Sequence, residues 1–393
     1  MSNSAKTLLV VFEFDTLNGG ENSMLAVLSL LTDSQWQIKA ALPCHAASPS
    51  SGDASNNETL TAQLTKLGIE TISLTTHQDD GTRKSQDQYR DDFAAVLNQH
   101  QPDVVLCNSL STSRLCGPVT AKANIRAAGY LRDIIKLSRK AVADINQLDR
   151  IIAVSHATMD FHVEHEMDAK KLRVVYNGVD LDQFHPRLRT LPQTAELKAS
   201  LGIPKQSPVV LYVGQIGMRK GIDVLVEAFN LVLETAPDSH MLVVGQRHSQ
   251  KQEAIDYERD TFQASAHSGR VHWLGRRSDV SELMAVSDVL LHPARQEPLG
   301  RVLLEAAASG LPVITTLVGG SPEIFGCNNS FDLLCHKDDA TAMAARVSQL
   351  LTDDRIREAV SLELRNLALR RFNRNNCAQS LLSILDDLHR QQL

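Results

Sequence analysis

Val289–Thr316, VLLHPARQEPLGRVLLEAAASGLPVITT, holds the fold in miniature. An apolar run, Val289–Leu291, leads into a polar loop. Pro298, Leu299 and Gly300 open a helix, Gly310 closes it, and a second apolar run starts at Pro312. Glycine accepts the left-handed backbone that stops a helix, and proline cannot continue one. Short Val/Ile/Leu runs suit strands buried on both faces, and strand–helix–strand order implies a right-handed parallel unit. Glu297 lies in the loop before the helix and Glu305 about two turns further on. A helix N-terminus between them offers free N–H groups and a positive dipole end. It can hold an anionic or polyhydroxylated ligand while the carboxylates accept hydrogen bonds from hydroxyls.

The same alternation runs along the chain. The apolar runs of the first half are Leu8–Phe12, Ile38–Leu42, Ile69–Leu74, Val104–Cys107, Arg150–Val154 and Arg173–Tyr176. Those of the second half are Val209–Val213, Met241–Val244, Val271–Leu274, Val289–Leu291, Pro312–Thr315 and Asp332–Leu334. They are too many for one comfortable sheet, and 393 residues suit two domains. The expected class is α/β, with two Rossmann-like doubly wound parallel-sheet domains facing a central cleft. The break falls in the proline-rich stretch from Asp182 to Pro208. This predicts a first domain over 1–185, a linker over 186–207 and a second domain over 208–376. Residues 377–393 read as an amphipathic helix with Leu381, Leu382, Ile384, Leu385 and Leu388 in one stripe. The polar stretches 44–62 and 75–88 read as mobile surface loops.

A net charge of −6 and 4% aromatic residues argue against nucleic acid as a partner. The apolar run near the N-terminus is too short for a signal-peptide core, and no run is long enough to span a membrane. Cytoplasmic location is the expectation. The cysteines at 44, 107, 116, 327, 335 and 377 form no C-x-x-C pair, and Cys335-His336 has no companion pair at metal spacing. They read as reduced thiols, with no metal and no cofactor expected.

If ligands bind at the carboxyl ends of the strands, informative residues should follow strands and precede helices. Gly19-Gly20-Glu21 follows the first strand and precedes a helix read from Asn22 to Leu31. Its glycines suit either a close approach to phosphate or a plain turn. Gly214, Gln215, Gly217, Arg219, Lys220 and Gly221 follow the first strand of the second half. Two cations beside a helix start suit a diphosphate, against the alternative of a solvated basic turn. Glu305 is set among apolar residues and alanines, and a partly buried carboxylate needs a partner. Gly319-Gly320-Ser321-Pro322-Glu323 and Asn177-Gly178-Val179-Asp180 have turn chemistry as their plain reading. No G-x-G-x-x-G dinucleotide fingerprint is present, which disfavours a nicotinamide oxidoreductase.

Taken in order, these motifs resemble the retaining GT-B glycosyltransferases of family 4. They are Gly19-Gly20, Asn177-Gly178-Val179-Asp180 with Phe184, Gly214 with Lys220-Gly221, Glu297-Pro298-Leu299-Gly300 through Glu305, Gly310-Leu311-Pro312-Val313 and Gly319-Gly320. The similarity spans nearly the whole chain and is stronger in the second half. It implies a metal-independent transferase that moves a sugar from a nucleotide-sugar donor to a saccharide, lipid-linked or small-molecule acceptor. By the same resemblance, Lys220 and Arg219 neutralise the donor diphosphate and Glu305 binds the ribose. Glu297 binds a hydroxyl of the transferred sugar, supported by the loop backbone at Pro298, Leu299 and Gly300. Gly19 and Gly20 close over the diphosphate, and Arg276 lies at the nucleobase. The family's C-terminal helix crosses back to the first domain, which suits 377–393.

Two departures stand out. Gln215 occupies a position where the family often has arginine. The family's first-domain histidine is also missing, because the strands DVVLC and IRAAGY lead to Asn108-Ser109 and Leu131-Arg132-Asp133. Arg132 and Asp133 line the acceptor side or form a surface ion pair. His156, after the strand IIAVS, is a further candidate. These departures motivate the alternative of a catalytically inactive GT-B scaffold that binds nucleotide-sugars or glycans. Residues 132–140, RDIIKLSRK, mix cations with apolar residues. They suit either weak peripheral contact with an anionic membrane or an ordinary solvated face.

Overall fold

In a computed structural model, the chain is described over residues 6–32, 34–44, 59–78, 80–186, 192–265, 269–326 and 331–392. Most of the polar stretch 44–62 and residue 79 of the stretch 75–88 lie outside these, as does Cys327. The rest of 75–88 is ordered by an antiparallel bridge between His77 and Arg83 and by Ser85, which caps the helix Gln86–His100.

The apolar runs form strands of two separate parallel sheets. The first comprises β1 (Lys6–Val11), β2 (Trp36–Cys44), β3 (Glu70–Thr75), β4 (Val104–Cys107), β5 (Arg126–Leu131), β6 (Arg150–Ala153) and β7 (Leu172–Val174). The second comprises β8 (Val209–Val213), β9 (His240–Val244), β10 (Val271–Gly275), β11 (Val289–His292), β12 (Val313–Thr316) and β13 (Leu334–Cys335). Their orders are β3-β2-β1-β4-β5-β6-β7 and β10-β9-β8-β11-β12-β13. Each sheet is therefore wound outward in both directions from a central pair, β1/β4 and β8/β11. Loops leaving the two members of such a pair diverge, and the gap between them is where an open α/β sheet binds ligands.

An aspartate just before a strand recurs as a register pin. Asp103 accepts from the Thr7 amide at 2.6 Å, Asp149 from Ala127 at 2.9 Å and Asp288 from Val209 at 2.8 Å. Each satisfies the first free N–H of a neighbouring strand at the amino edge of the sheet. The strand β5 is built from small residues, RAAGYL, rather than β-branched ones. Smallness is what its neighbours require, since a Cβ on Gly129 would stand 2.2 Å from Ser113 Oγ.

The chain divides into a unit of residues 1–178 with 374–393 and a unit of residues 179–373. Of the expected linker 186–207, the described residues from 192 onward are folded into the second unit. Its helix Pro192–Ser200 packs on the helix Val280–Val286 within the second unit, and Ile203 is buried. The C-terminal helix begins at Arg374 and packs on the helix Gly19–Leu31, burying Leu381, Leu385 and Leu388. Asp386 on that helix accepts from Lys6 Nζ at 2.9 Å and Trp36 Nε1 at 3.2 Å. Among the described residues, no helix is long and apolar enough to cross a membrane.

One half-buried cation compensates for a break in a helix. Pro118 lies inside the helix Leu110–Ala123 and lacks the N–H that would reach the Arg114 carbonyl. Arg90 supplies donors instead, Nη2 to Arg114 O and Nε to Leu115 O, both at 3.3 Å, and pairs with Asp144 at 2.7 Å. Arg90→Leu should strand those carbonyls and leave Asp144 without its cation, lowering stability by about 2–3 kcal/mol in urea denaturation at neutral pH. A loss below about 0.5 kcal/mol, the level of an ordinary surface change, would contradict this account.

Candidate donor site in the second unit

Of the residues singled out in the second half, those of the loops after β8 and β11 gather at the β8/β11 switch point, whereas Arg276 follows the edge strand β10. The loop after β8 ends in a short 3₁₀ turn, Met218–Lys220, that feeds the helix Ile222–Thr235 through Gly221. Gly221 has φ +67°, and a Cβ there would stand 2.1 Å from Pro293 O, so only glycine lets this turn press against the loop after β11. Arg295 fastens the same two loops. Its guanidinium donates to Met218 O at 2.9 Å and grips Asp223 with two bonds, and its own amide donates to Arg219 O at 2.9 Å. Lys220 is thereby carried to Glu297.

Lys220 Nζ donates to Glu297 Oε2 at 2.5 Å, and His292 Nε2 lies 2.7 Å from the same oxygen. Burial disfavours the Glu297 carboxylate, but the Lys220 charge and the His292 hydrogen bond outweigh it and hold the group below the usual carboxylate range. His292 ends β11 and is fully buried, and that burial pushes its imidazole toward the neutral form. Its ring stacks on Tyr212, with centroids 5.9 Å apart and planes 11° from parallel. Tyr212 in turn donates to Gln215 O at 2.9 Å. Gln215 thus contributes its backbone carbonyl to the support of the stack. In sequence His292 passes as the end of a core strand. Its one signal is an imidazole at the last position of an apolar run, five residues before Glu297.

The loop 297–300 is held from behind by Gly319 and Gly320. Gly319 has φ +52°, and a Cβ there would stand 1.9 Å from Glu297 O. The Gly320 amide donates to that carbonyl at 2.9 Å. Gly300 caps the helix Arg301–Ala308, and Pro298 and Leu299 are buried beside it. Glu305 is buried on this helix and takes Arg301 Nε at 2.7 Å. Burial raises its carboxyl, with Arg301 opposing. The two glutamates of the opening segment therefore sit in opposite electrostatic settings. Arg219 is exposed on the turn, and Arg276 is exposed after the edge strand β10.

In the first unit, the helix Gly19–Leu31 starts at the glycines themselves rather than at Asn22. Gly19 and Gly20 thus form its first turn, where the lack of side chains opens the terminal N–H groups. Asn108, fully buried, follows β4, and Arg132 follows β5. Arg132 donates to Asn108 O and Asn108 Oδ1 at 2.9 Å and to Asn177 Oδ1 at 3.0 Å, lying over the Tyr130 ring at 4.1 Å. A Cβ on Gly20 would stand 3.1 Å from Arg132 Cδ, so Gly20, Asn108 and Arg132 share one place at the β1/β4 switch point. The Asp133 carbonyl faces His162 Nε2 at 2.9 Å. His156 is exposed at the start of the helix His156–Glu164, edge-on to Tyr176. Of the apolar residues in 132–140, Ile135 is exposed and Leu137 packs on the core. Among the described residues, no group of three or more His, Cys, Asp or Glu could hold a metal ion.

Two doubly wound sheets, with cations and carboxylates at the strand ends, define a GT-B protein. The family model "Glycosyl transferases group 1" matches residues 193–366, and "Glycosyltransferase Family 4" matches residues 19–183. The chain belongs to the group 1, family 4 glycosyltransferases. Spore coat protein SA of Bacillus subtilis is 30% identical over 55% of this chain and 59% of its own length. N-acetyl-alpha-D-glucosaminyl L-malate synthase of Bacillus anthracis is 29% identical over 63% of this chain and 61% of its own length. The lipopolysaccharide glucosyltransferase WaaG of Escherichia coli is 36% identical over 41% of each chain. The aligned part thus spans about three-fifths or less of these relatives. The crystal structure of Anabaena HepE with UDP and glucose superposes with a TM-score of 0.80 at 21% identity, covering 97% of this chain and 100% of HepE.

The contrast between the two glutamates has a measurable sign. As pH falls, Glu305 should protonate before an ordinary exposed glutamate and Glu297 well after it. Carboxyl ¹³C titration, assigned with Glu297→Gln and Glu305→Gln, checks this order, and the reverse order would refute the electrostatic assignment. Gly319→Ala should push the Glu297 carbonyl away and cost about 2 kcal/mol or more, read by denaturant unfolding.

Proposed function

We propose that this chain is a retaining, metal-independent glycosyltransferase that moves a sugar from a nucleoside-diphosphate sugar to an acceptor hydroxyl. The observation that carries the reading is the meeting of Lys220 and Glu297 at the β8/β11 switch point, a cation for a diphosphate beside a carboxylate for a sugar hydroxyl. The presence of UDP-glucose in a HepE crystal structure of the same fold, and the glucosyltransferase WaaG among the relatives, support it.

In this reading Lys220 and Arg219 take the negative charge that develops on the departing diphosphate. Glu297, with the backbone of Pro298, Leu299 and Gly300, orients the transferred sugar. Glu305 accepts from the ribose, Arg276 flanks the base, and Gln215 shapes the phosphate loop through its carbonyl. In the first unit, Gly19 and Gly20 offer first-turn N–H groups suited to an anion. Asn108, Arg132, Asp133 and His156 form the acceptor side, on a saccharide, lipid-linked or small-molecule acceptor. The reading places the chain in the cytoplasm. It also allows 132–140, through its cations and Ile135, a weak peripheral contact with anionic lipid.

A thermal-shift screen against UDP-, GDP- and ADP-sugars tests the donor site. At about a hundred times Kd, a single ligand adds about 2.7 kcal/mol, enough to raise Tm by several degrees. One of these donors should do so, and Lys220→Ala should cut the shift by more than half. No shift from any donor sinks the proposal. Slow hydrolysis of the stabilising donor in the absence of acceptor is the expected sign of catalytic competence.

A further inference from the structure

The proposed donor site contains a contact that its ligand would have to break. Lys220 Nζ and His292 Nε2 converge on one oxygen, Glu297 Oε2, at 2.5 and 2.7 Å. A lysine serves a diphosphate as a compact point charge, and here that charge is already engaged. We infer that Lys220 and Glu297 pair with each other before a donor binds, that the donor diphosphate draws Lys220 away, and that His292 is the positioning residue that holds Glu297 during the exchange. This rests on the donor-site reading above.

The two partners of Glu297 differ in how firmly they are held. Lys220 rides on a single 3₁₀ turn and reaches Glu297 through four methylenes, so its ammonium can swing toward an incoming anion without moving the backbone. His292 cannot swing. It is fully buried on a strand, stacked on Tyr212, and Tyr212 is tied to the Gln215 carbonyl. Among the described residues, its other ring nitrogen, Nδ1, is buried with no hydrogen-bond partner. A buried N–H without an acceptor is costly, so the proton belongs on Nε2, aimed at Glu297. A neutral Nε2–H donor steadies the carboxylate without adding a charge that would compete with Lys220 for the diphosphate. Both bonds fall on Oε2, which leaves Oε1 to accept from a sugar hydroxyl. Removing a lysine from a buried carboxylate leaves a charge that needs another donor, and the histidine is that donor.

Calorimetric titration of the full chain tests this, with the nucleoside diphosphate that stabilises it most and with the matching nucleotide-sugar. Glu297→Gln should bind the free diphosphate roughly fivefold tighter or more, because Lys220 is released, and should lose the preference for the sugar-bearing form. In a Lys220→Met background that gain should vanish. A gain of equal size there would mean simple charge repulsion and overturn the exchange, as would no gain in the single variant. His292→Leu should keep diphosphate affinity but lose the preference for the nucleotide-sugar. His292→Gln, which restores an N–H donor, should recover it. An unchanged preference in His292→Leu refutes the positioning role. Should His292→Leu fail to fold, the ¹⁵N imidazole spectrum of the unaltered chain decides. A neutral Nε2-protonated ring is expected, and an Nδ1-protonated or cationic ring overturns the assignment. If the unaltered chain binds neither ligand, it is the donor-site reading that fails.

Discussion

Parallel strands can be joined only by crossovers, and right-handed crossovers wind a sheet one way until the chain reverses to build its other half. Everything of chemical interest in this molecule follows from that constraint. At β1/β4 and at β8/β11 adjacent strands send their loops in opposite directions, so helix termini and loop side chains stand around an uncovered gap. The gap is produced by the topology, before any particular side chain is chosen. Lys220 and Glu297 meet because β8 and β11 are neighbours although 77 residues separate the two side chains. Gly20, Asn108 and Arg132 meet for the same reason in the first unit.

Burial then sets the cost of placing charge at these ends. A carboxylate as buried as Glu297 would take up a proton if it stood alone. Lysine and histidine on one oxygen reverse that outcome, whereas Glu305, equally buried but supported by Arg301 alone, goes the other way. The difference lies in the number and placement of donors, not in the residue type. Glycines complete the arrangement by subtraction. At Gly221 and Gly319 the missing Cβ lets one loop press on the carbonyl of another, which brings the charged groups into contact.

Much of this was legible in the order of residues. Apolar runs, glycine stops and prolines announced the alternation of strands and helices, and Gly310 ends its helix as its sequence suggests. Lys220 and Glu297 stood out as charges in loops that follow strands and precede helices, and Glu305 as a carboxylate set among apolar residues and alanines. Other features stayed hidden. His292 looks like any residue ending a core strand, because only the stacking on Tyr212 and the reach to Glu297 distinguish it. The stretch from Asp182 to Pro208 read as a linker holding one short helix, and the place of the helix Pro192–Ser200 in the second unit comes from packing on Val280–Val286. Arg132 read either as lining the acceptor side or as a surface ion pair with Asp133, and only the structure shows its guanidinium donating to Asn108 and Asn177.

The sequence by itself determined the class of fold, the two-sheet organisation and the loops in which a ligand site must lie. Those depend on periodicity and on the backbone preferences of glycine and proline, which are local properties. Tertiary structure alone decided which charges share an atom, which carboxylate is driven toward ionisation and which toward protonation, and which imidazole holds its proton on Nε2. Those depend on distances and burial among residues far apart in the chain. Electrostatic energy varies with separation and dielectric, and neither is written in the order of residues.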